Sequence, residues 1–375
     1  MNSRIFGIVI YIIPIFQLHA QVPISIKWDQ QVLINNMPLF KDAGKVKDAV
    51  NYFRQQGNYG SQYARMLELS NGTWLAGYTI SKNSGYSKEP KGGLELQISS
   101  STDHGRHWKN IAVISDPGRD LDNTQIIELK DSSILLACRT VRWQESYILP
   151  LYKSSDQGKS WKRISIIDSV SGKPGSLGHP DKGIYEPHLY ILDDGRLAVM
   201  YANEKHVIEN PSYSQIISQK ISNDNGKSWG KEIWVAYETG HPDSRPGMPV
   251  WTKMKNGKYI VVYEVCGPEK CDIHYKISDD GINWPIGLGQ PIPNQLGGPF
   301  IVSLKDGQLL VTSNAGNLSV SDDYGLNWSK IESAWPQTLW GALYQTGQNE
   351  IGALNSPARK EGGNNVQIKY GKIQR

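Results

Sequence analysis

Six times along the chain an apolar strand, a short polar turn and a second apolar strand follow one another. The pattern is plainest in Met66-Leu67-Glu68-Leu69-Ser70-Asn71-Gly72-Thr73-Trp74-Leu75-Ala76, and it returns around Asp131-Ser132, Asp194-Gly195, Asn256-Gly257, Asp306-Gly307 and Thr346-Gly347. Turn residues that accept a positive φ, set between runs of β-formers, predict hairpins. In the first five units the hairpin is followed by a third strand, a polar octapeptide and a fourth strand, as at 93–99, 101–108 and 110–114. The sixth unit has one further strand, 366–373. A lone strand at 24–34, ahead of the first hairpin, supplies the partner it lacks. The pattern therefore predicts six four-stranded sheets, the last closed by pairing of the two chain ends so that no edge stays open. The remaining segments read as connections: long links at 162–185 and 234–248, each carrying Gly-His-Pro-Asp (178–181 and 240–243), polar loops at 55–60 and 81–92, and a stretch at 37–54 compatible with a short helix.

The octapeptide is itself a repeat. Ser222-Asn223-Asp224-Asn225-Gly226-Lys227-Ser228-Trp229 has the form S-x-D-x-G-x-x-W, which recurs at 101–108, 154–161 and 321–328. A weaker copy at 277–284 keeps Asp279, Gly281 and Trp284 and reads as having lost the leading Ser. Ser and Asp side chains bond backbone N–H groups within a turn, Gly takes a conformation that other residues resist, and Trp fills the gap between neighbouring sheets. These octapeptides resemble Asp-boxes, the mark of sialidase-like β-propellers, so the fold class expected is all-β, a six-bladed propeller.

Strand direction decides which face carries chemistry. In a four-stranded antiparallel blade, the start of strand 1, the end of strand 2 and the link to the next blade share one face, here the upper one. The strand 3 to strand 4 turn, which is the octapeptide, lies on the lower face. One Asp per blade around a lower rim makes no convergent site, so the repeated Asp residues read as structural. The upper face collects Tyr63, Arg65, Asn123, Glu186 and His188 at strand 1 starts, Arg245 just before the fourth blade, and Arg139, Asn203, Glu204, Glu264, Asn314 and Asn355 at strand 2 ends. Glu186, in Tyr185-Glu186-Pro187-His188, and Glu264, in Tyr263-Glu264-Val265-Cys266, stand on adjacent blades at the mouth of the axis. Two carboxylates meeting over a pocket are what glycosidic bond cleavage needs, one as acid/base and the other as nucleophile or water activator. Glu204 is a substitute for either or a holder of Lys205 or a rim arginine. Arg65, Arg139 and Arg245 orient hydroxyls or a carboxylate, or bridge loops. Trp143, Trp340 and Tyr344 are sugar-stacking platforms or wedge packing. His179, Asp181, His241 and Asp243 belong more economically to Pro-bearing turns than to a metal site.

Composition narrows the class. The 375 residues hold 12 Trp and 19 Tyr against 5 Phe, which suits both carbohydrate surfaces and propeller cores. A formal charge of +4 is too mild for a nucleic-acid footprint. Residues 1–20 read as a secretory signal, with Arg4, an apolar run at 5–16 too short to span a membrane, and Leu18-His19-Ala20 as the cleavage site. The expected mature protein is a secreted or periplasmic monomer, one domain at 21–375, without a membrane anchor. In that oxidising compartment Cys266 and Cys271 flank a short loop and are placed to staple a hairpin, while Cys138 reads as a buried free thiol.

Tyr185-Glu186-Pro187, Ser244-Arg245-Pro246-Gly247-Met248-Pro249, Asn256-Gly257-Lys258-Tyr259 with Tyr263-Glu264, and Tyr275-Lys276-Ile277-Ser278-Asp279-Asp280-Gly281 together resemble the exo-α-1,5-L-arabinanase family over nearly the whole mature chain. The resemblance implies a retaining exo-enzyme that releases arabinobiose from linear arabinan, with Glu186 and Glu264 as the catalytic pair, Glu264 being preferred as nucleophile, and no cofactor. An exo-sialidase is the rival enzyme. Arg65 resembles that family's first arginine, but there is no Arg between Arg245 and Arg359 and no Asp acid/base in 81–92. A non-catalytic carbohydrate-binding propeller is the alternative of a different class, since it needs aromatic platforms but no carboxylate pair.

Overall fold

Five of the hairpins close with one hydrogen-bond pattern. The N–H groups of Leu69, Leu129, Leu192, Met254 and Leu304 donate to the carbonyls of Thr73, Ser133, Arg196, Lys258 and Gln308 at 2.8–2.9 Å. This is the geometry that the Gly- and Asp-containing turns favour. The computed structural model describes residues 24–36, 60–81, 93–142, 145–172, 183–359 and 363–375.

Strand β1 (Ser25–Leu33) precedes six hairpins. Blade 1 is β2 (Ser61–Glu68), β3 (Trp74–Ser81), β4 (Leu94–Ser101) and β5 (Lys109–Ile114); blade 2 is β6 (Asp120–Glu128), β7 (Ile134–Arg142), β8 (Ser146–Ser154) and β9 (Lys162–Ser171). Blade 3 is β10 (Ile184–Ile191), β11 (Leu197–Asn203), β12 (Ile216–Ser222) and β13 (Ile233–Ala236). Blade 4 is β14 (Arg245–Lys253), β15 (Tyr259–Cys266), β16 (Lys270–Ser278) and β17 (Gln290–Leu296). Blade 5 is β18 (Phe300–Ser303), β19 (Leu309–Thr312), β20 (Asn317–Ser321) and β21 (Ser329–Glu332). Blade 6 is β22 (Ala342–Gly347), β23 (Glu350–Asn355), β24 (Gln367–Gln374) and, from the other end of the chain, β1. The inner strands β2, β6, β10, β14, β18 and β22 touch in succession and β22 returns to β2, so the sheets form a closed six-bladed β-propeller. β1 pairs with β24 antiparallel, from Ser25 opposite Gln374 to Leu33 opposite Gln367, which is the closure expected from the lone strand.

The octapeptides lock each blade to the one before it. In the blade 3 copy, Ser222 Oγ accepts the N–H of Gly226 at 2.8 Å and donates to Asp224, whose carboxylate accepts the Ser228 N–H at 2.9 Å. Gly226 has φ 84°, and a Cβ there would lie 2.2 Å from Leu151 of blade 2. The Asp carboxylates are thus spent inside their turns. Ser222 is buried and serves three partners, so Ser222→Ala is expected to lower stability by about 1–2 kcal/mol while leaving turnover unchanged, as read by urea denaturation beside a kinetic assay.

Two expectations are corrected. The blade 4 octapeptide has not lost its serine: Ser278 Oγ bonds Asp280 and takes the Gly281 N–H at 3.0 Å, and Asp280 takes the Asn283 N–H at 2.8 Å. The turn is one residue shorter, which shifts the apparent alignment and makes Asp280, not Asp279, the structural carboxylate. The segments 162–185 and 234–248 are also not all link, since β9 occupies the first ten residues of one before β10 begins at Ile184, and the other takes in the end of β13 and the start of β14. The second Gly-His-Pro-Asp is a turn in which the Ser244 N–H meets the His241 carbonyl at 3.0 Å. The first copy, with His179 and Asp181, lies outside the described residues, as do residues 1–20, 37–54 and Trp143.

Candidate active site

One backbone irregularity recurs at the upper start of strand 1 in every blade. Tyr63, Asn123, Glu186, Met248, Gly298 and Trp340 have φ between 48° and 58°. In blades 1 to 4 the pairing register slips at that point, between Gln62 and Arg65, Asp122 and Gln125, Tyr185 and His188, and Gly247 and Val250. A bulge of this kind bends the strand and re-aims side chains. Left-handed backbone costs a non-glycine residue roughly 1–2 kcal/mol, and such strain persists where the surroundings over-determine it. Three of the six residues precede proline: Glu186, Met248 and Gly298. That X-Pro dipeptide, placed just ahead of an apolar strand, is the sequence signal for the left-handed residue, and strand-start reasoning alone passes over Met248 and Gly298.

These left-handed positions matter because the N–H groups of three of them hold polar side chains of the preceding blade. The Met248 N–H donates to Glu186 Oε2 at 2.9 Å, the Gly298 N–H to Glu264 Oε2 at 2.7 Å, and the Trp340 N–H to Asn314 Oδ1 at 2.9 Å. Glu186 therefore hangs from blade 4 and Glu264 from blade 5. Gly247 pairs with Glu264 across β14 and β15 and adjoins Met248, so the two glutamates are neighbours, each partly exposed at the mouth.

Their ionisation differs. Burial, reinforced by the charge of Glu264, pushes the Glu186 carboxyl up to about 8 against the opposing pull of the Met248 N–H and Arg139. Burial also raises Glu264, but its opposing influences are the Gly298 N–H and the Arg245 guanidinium. At neutral pH Glu186 holds its proton. A protonated carboxyl beside a second carboxylate is the arrangement of an acid and a nucleophile.

Arg65 is buried at the start of β2, with its guanidinium carbon 4.0 Å from the Tyr63 ring centre and 5.2 Å from that of Phe300. Its Nη1 donates to the carbonyls of Ala64 (2.8 Å) and Trp340 (3.2 Å). His188 is buried beside Phe300, and burial together with the Arg65 charge holds its imidazole down to about 3, so it is neutral. Asn123 is buried with its Oδ1 unpartnered among the described residues. Arg139 donates to Asp122 at 3.3 Å and lies over the Tyr185 ring. Asp122, buried next to Asn123, also accepts Thr79 Oγ1 and the Asn123 N–H. Trp340 is half-buried and reaches Tyr63, whereas Tyr344 packs against Phe300 and its hydroxyl accepts the Met66 N–H, which makes it wedge packing.

Asn203 and Glu204 do not meet the expectation of substrate contact. Neither has exposed surface. Asn203 turns into blade 3, where it bonds Ser218 and Glu232 and caps the N–H of Lys205. Glu204 accepts the Gly183 N–H, the Tyr185 hydroxyl and the Arg245 guanidinium, so of its two expected roles it takes that of holding a rim arginine; Lys205 pairs with Asp168 instead. Consecutive residues at a strand end point opposite ways, and the turn after β11 carries both under the surface. Cys266 and Cys271 form a disulfide across the β15–β16 turn, two residues past Glu264, and Cys138 is a buried free thiol. Among the described residues no cluster of His, Cys, Asp and Glu is placed to hold a metal ion.

A family described as a BNR repeat-like domain matches residues 47–288. No curated protein matches the sequence. Among solved structures, the GH93 α-L-arabinofuranosidase of Fusarium graminearum in complex with arabinobiose is similar at 22% identity and a TM-score of 0.73, over 92% of this chain and 98% of that one. The α-L-arabinanase of Penicillium chrysogenum complexed with arabinobiose aligns at 24% identity and a TM-score of 0.71 over the same shares. The NanB sialidase of Streptococcus pneumoniae is more distant, at 11% identity, a TM-score of 0.60, and coverage of 84% of this chain and 68% of that one. At these identities the likeness is one of fold.

Proposed function

The chain belongs to the BNR repeat-like domain family, and from that premise we propose that it is a secreted retaining exo-glycoside hydrolase that acts on linear α-1,5-L-arabinan and releases arabinobiose. The observation that carries this reading is the glutamate pair: Glu186 and Glu264 come from adjacent blades, each is anchored by a backbone N–H of the next blade, and they differ in readiness to ionise. Arabinobiose, bound by two of the similar propellers, supplies the substrate class.

The reaction runs in two steps. A Glu264 oxygen bonds to the anomeric carbon as the glycosidic C–O bond breaks, and Glu186 gives its proton to the departing oxygen. A water then loses its proton to the Glu186 carboxylate and bonds to the anomeric carbon, the ester to Glu264 breaks, and both residues regain their starting states. Neutral His188 and the Oδ1 of Asn123 serve as hydrogen-bonding groups for sugar hydroxyls, and Trp340 as the half-buried aromatic wall.

The sialidase alternative fits less well. Arg139 is paired with Asp122 and Arg245 with Glu204, which leaves two of the three arginines already neutralised by carboxylates. Product analysis on a panel of linear arabinan, branched arabinan and a sialoside decides between the readings. A single disaccharide from linear arabinan is the expected result; arabinan binding without turnover, or release from the sialoside alone, overturns the proposal.

A further inference from the structure

Glu204 reaches β10, which carries Glu186, and β14, the strand paired with the one that carries Glu264. On one side its Oε2 accepts the Gly183 N–H at 2.7 Å and the Tyr185 hydroxyl at 3.0 Å, at the start of β10 and next to Glu186. On the other side its Oε1 accepts Arg245 Nη2, at the start of β14. Arg245 is held further by Ser214 Oγ at 3.3 Å and Gln215 Oε1 at 2.9 Å, and the Gln215 amide donates to the Pro246 carbonyl at 2.9 Å. Two residues past Arg245 stands Gly247, paired with Glu264; three past it stands Met248, whose N–H holds Glu186.

We propose that Glu204 is a positioning residue: through the Tyr185–Glu204–Arg245 chain it sets the spacing between Glu186 and Glu264. The inference rests on the glycosidase reading above for its kinetic consequence, though not for its geometry. A carboxylate is the group this place requires, because donors approach it from both sides and an ionised carboxylate presents acceptors only. An amide at the same position has one oxygen, so it serves either the Gly183 and Tyr185 donors or Arg245 and turns an NH2 toward the other. The negative charge has a second effect. It offsets Arg245 beside Glu264, and on Glu186 it adds to the upward push of burial and of the Glu264 charge.

Two variants separate position from charge. Glu204→Gln loses one arm of the tie and the charge, so kcat is expected to fall about 10- to 100-fold with KM nearly unchanged. Both limbs of the pH–rate profile move to lower pH, since Arg245 is then less compensated. Tyr185→Phe removes one hydroxyl and keeps the charge, so kcat falls less and the limbs stay where they are. A carbon-13 titration of the Glu186 carboxyl in wild type and Glu204→Gln reads the same displacement without any turnover, so it decides the tie even if no arabinoside is cleaved, in which case the functional reading alone fails. Folded variants with wild-type kcat, or a Glu186 titration that does not move in Glu204→Gln, overturn the proposal. If Glu204→Gln does not fold, Tyr185→Phe decides it: wild-type kcat in that variant overturns it and a reduced kcat at unchanged KM supports it.

Discussion

Glu264→Ala is expected to lose activity on arabinan by roughly 10⁴-fold or more, with the fold and thermal midpoint retained. The loss is large because no neighbour replaces the carboxylate. Asn314 is engaged by the Trp340 N–H and Glu204 has no exposed surface, so neither delivers an oxygen to the anomeric carbon. The shortened side chain leaves room beside Gly247, Gly297 and Gly298, against which the carboxylate now lies. Azide added to that space is expected to restore turnover of an activated aryl arabinofuranoside and to yield a glycosyl azide of inverted configuration. Restored turnover without the azide product would place the nucleophile elsewhere.

Glu186→Gln is expected to show a different signature. Proton delivery is worth roughly 10²- to 10⁴-fold, and it matters most when the leaving oxygen is a sugar hydroxyl. The variant should therefore be crippled on arabinan and far less impaired on an aryl arabinofuranoside whose phenolate leaves unaided. The sign of the pH dependence follows from the direction of the shift. Glu186 works in its protonated form, and burial and Glu264 raise its carboxyl to about 8, so wild-type kcat/KM falls as pH rises through about 8. The amide does not titrate, so this alkaline limb disappears in the variant. The acid limb, where Glu264 takes up a proton, remains and lies above the ordinary carboxylate range because burial raises Glu264 too.

The parts of this site legible in the sequence are those that depend on strand direction. The count of hairpins, the lone strand at 24–34 and the position of the octapeptides assign faces without any contact information, and elimination then leaves Glu186 and Glu264 on the upper rim. What was not legible depends on local departures from the period of two. The slip between Asp122 and Gln125 breaks the alternation at the start of β6, so the period of two does not foretell that Asp122 is the partner of Arg139. The turn after β11 hides Asn203 and Glu204, where an extended strand end would have exposed one of them. The backbone N–H groups that hold the glutamates carry no side-chain identity, and they show in the sequence only as the recurring residue before proline at 186–187, 248–249 and 298–299. The one-residue deletion in the blade 4 octapeptide is of the same kind, since a fixed-length pattern cannot see that Ser278 and Asp280 close the turn at shorter range.

If Glu264 is the nucleophile and Glu186 the acid that serves it, the glycosyl-enzyme can be trapped. The Glu186→Gln variant, lacking the group that activates water, is mixed with an activated aryl arabinofuranoside, quenched in acid, digested, and its peptides weighed. One glycosyl unit is expected, covalently attached to the peptide that contains Glu264, with the modification on that residue. Turnover by the wild type without any adduct in the variant, or an adduct on another residue, would contradict that assignment.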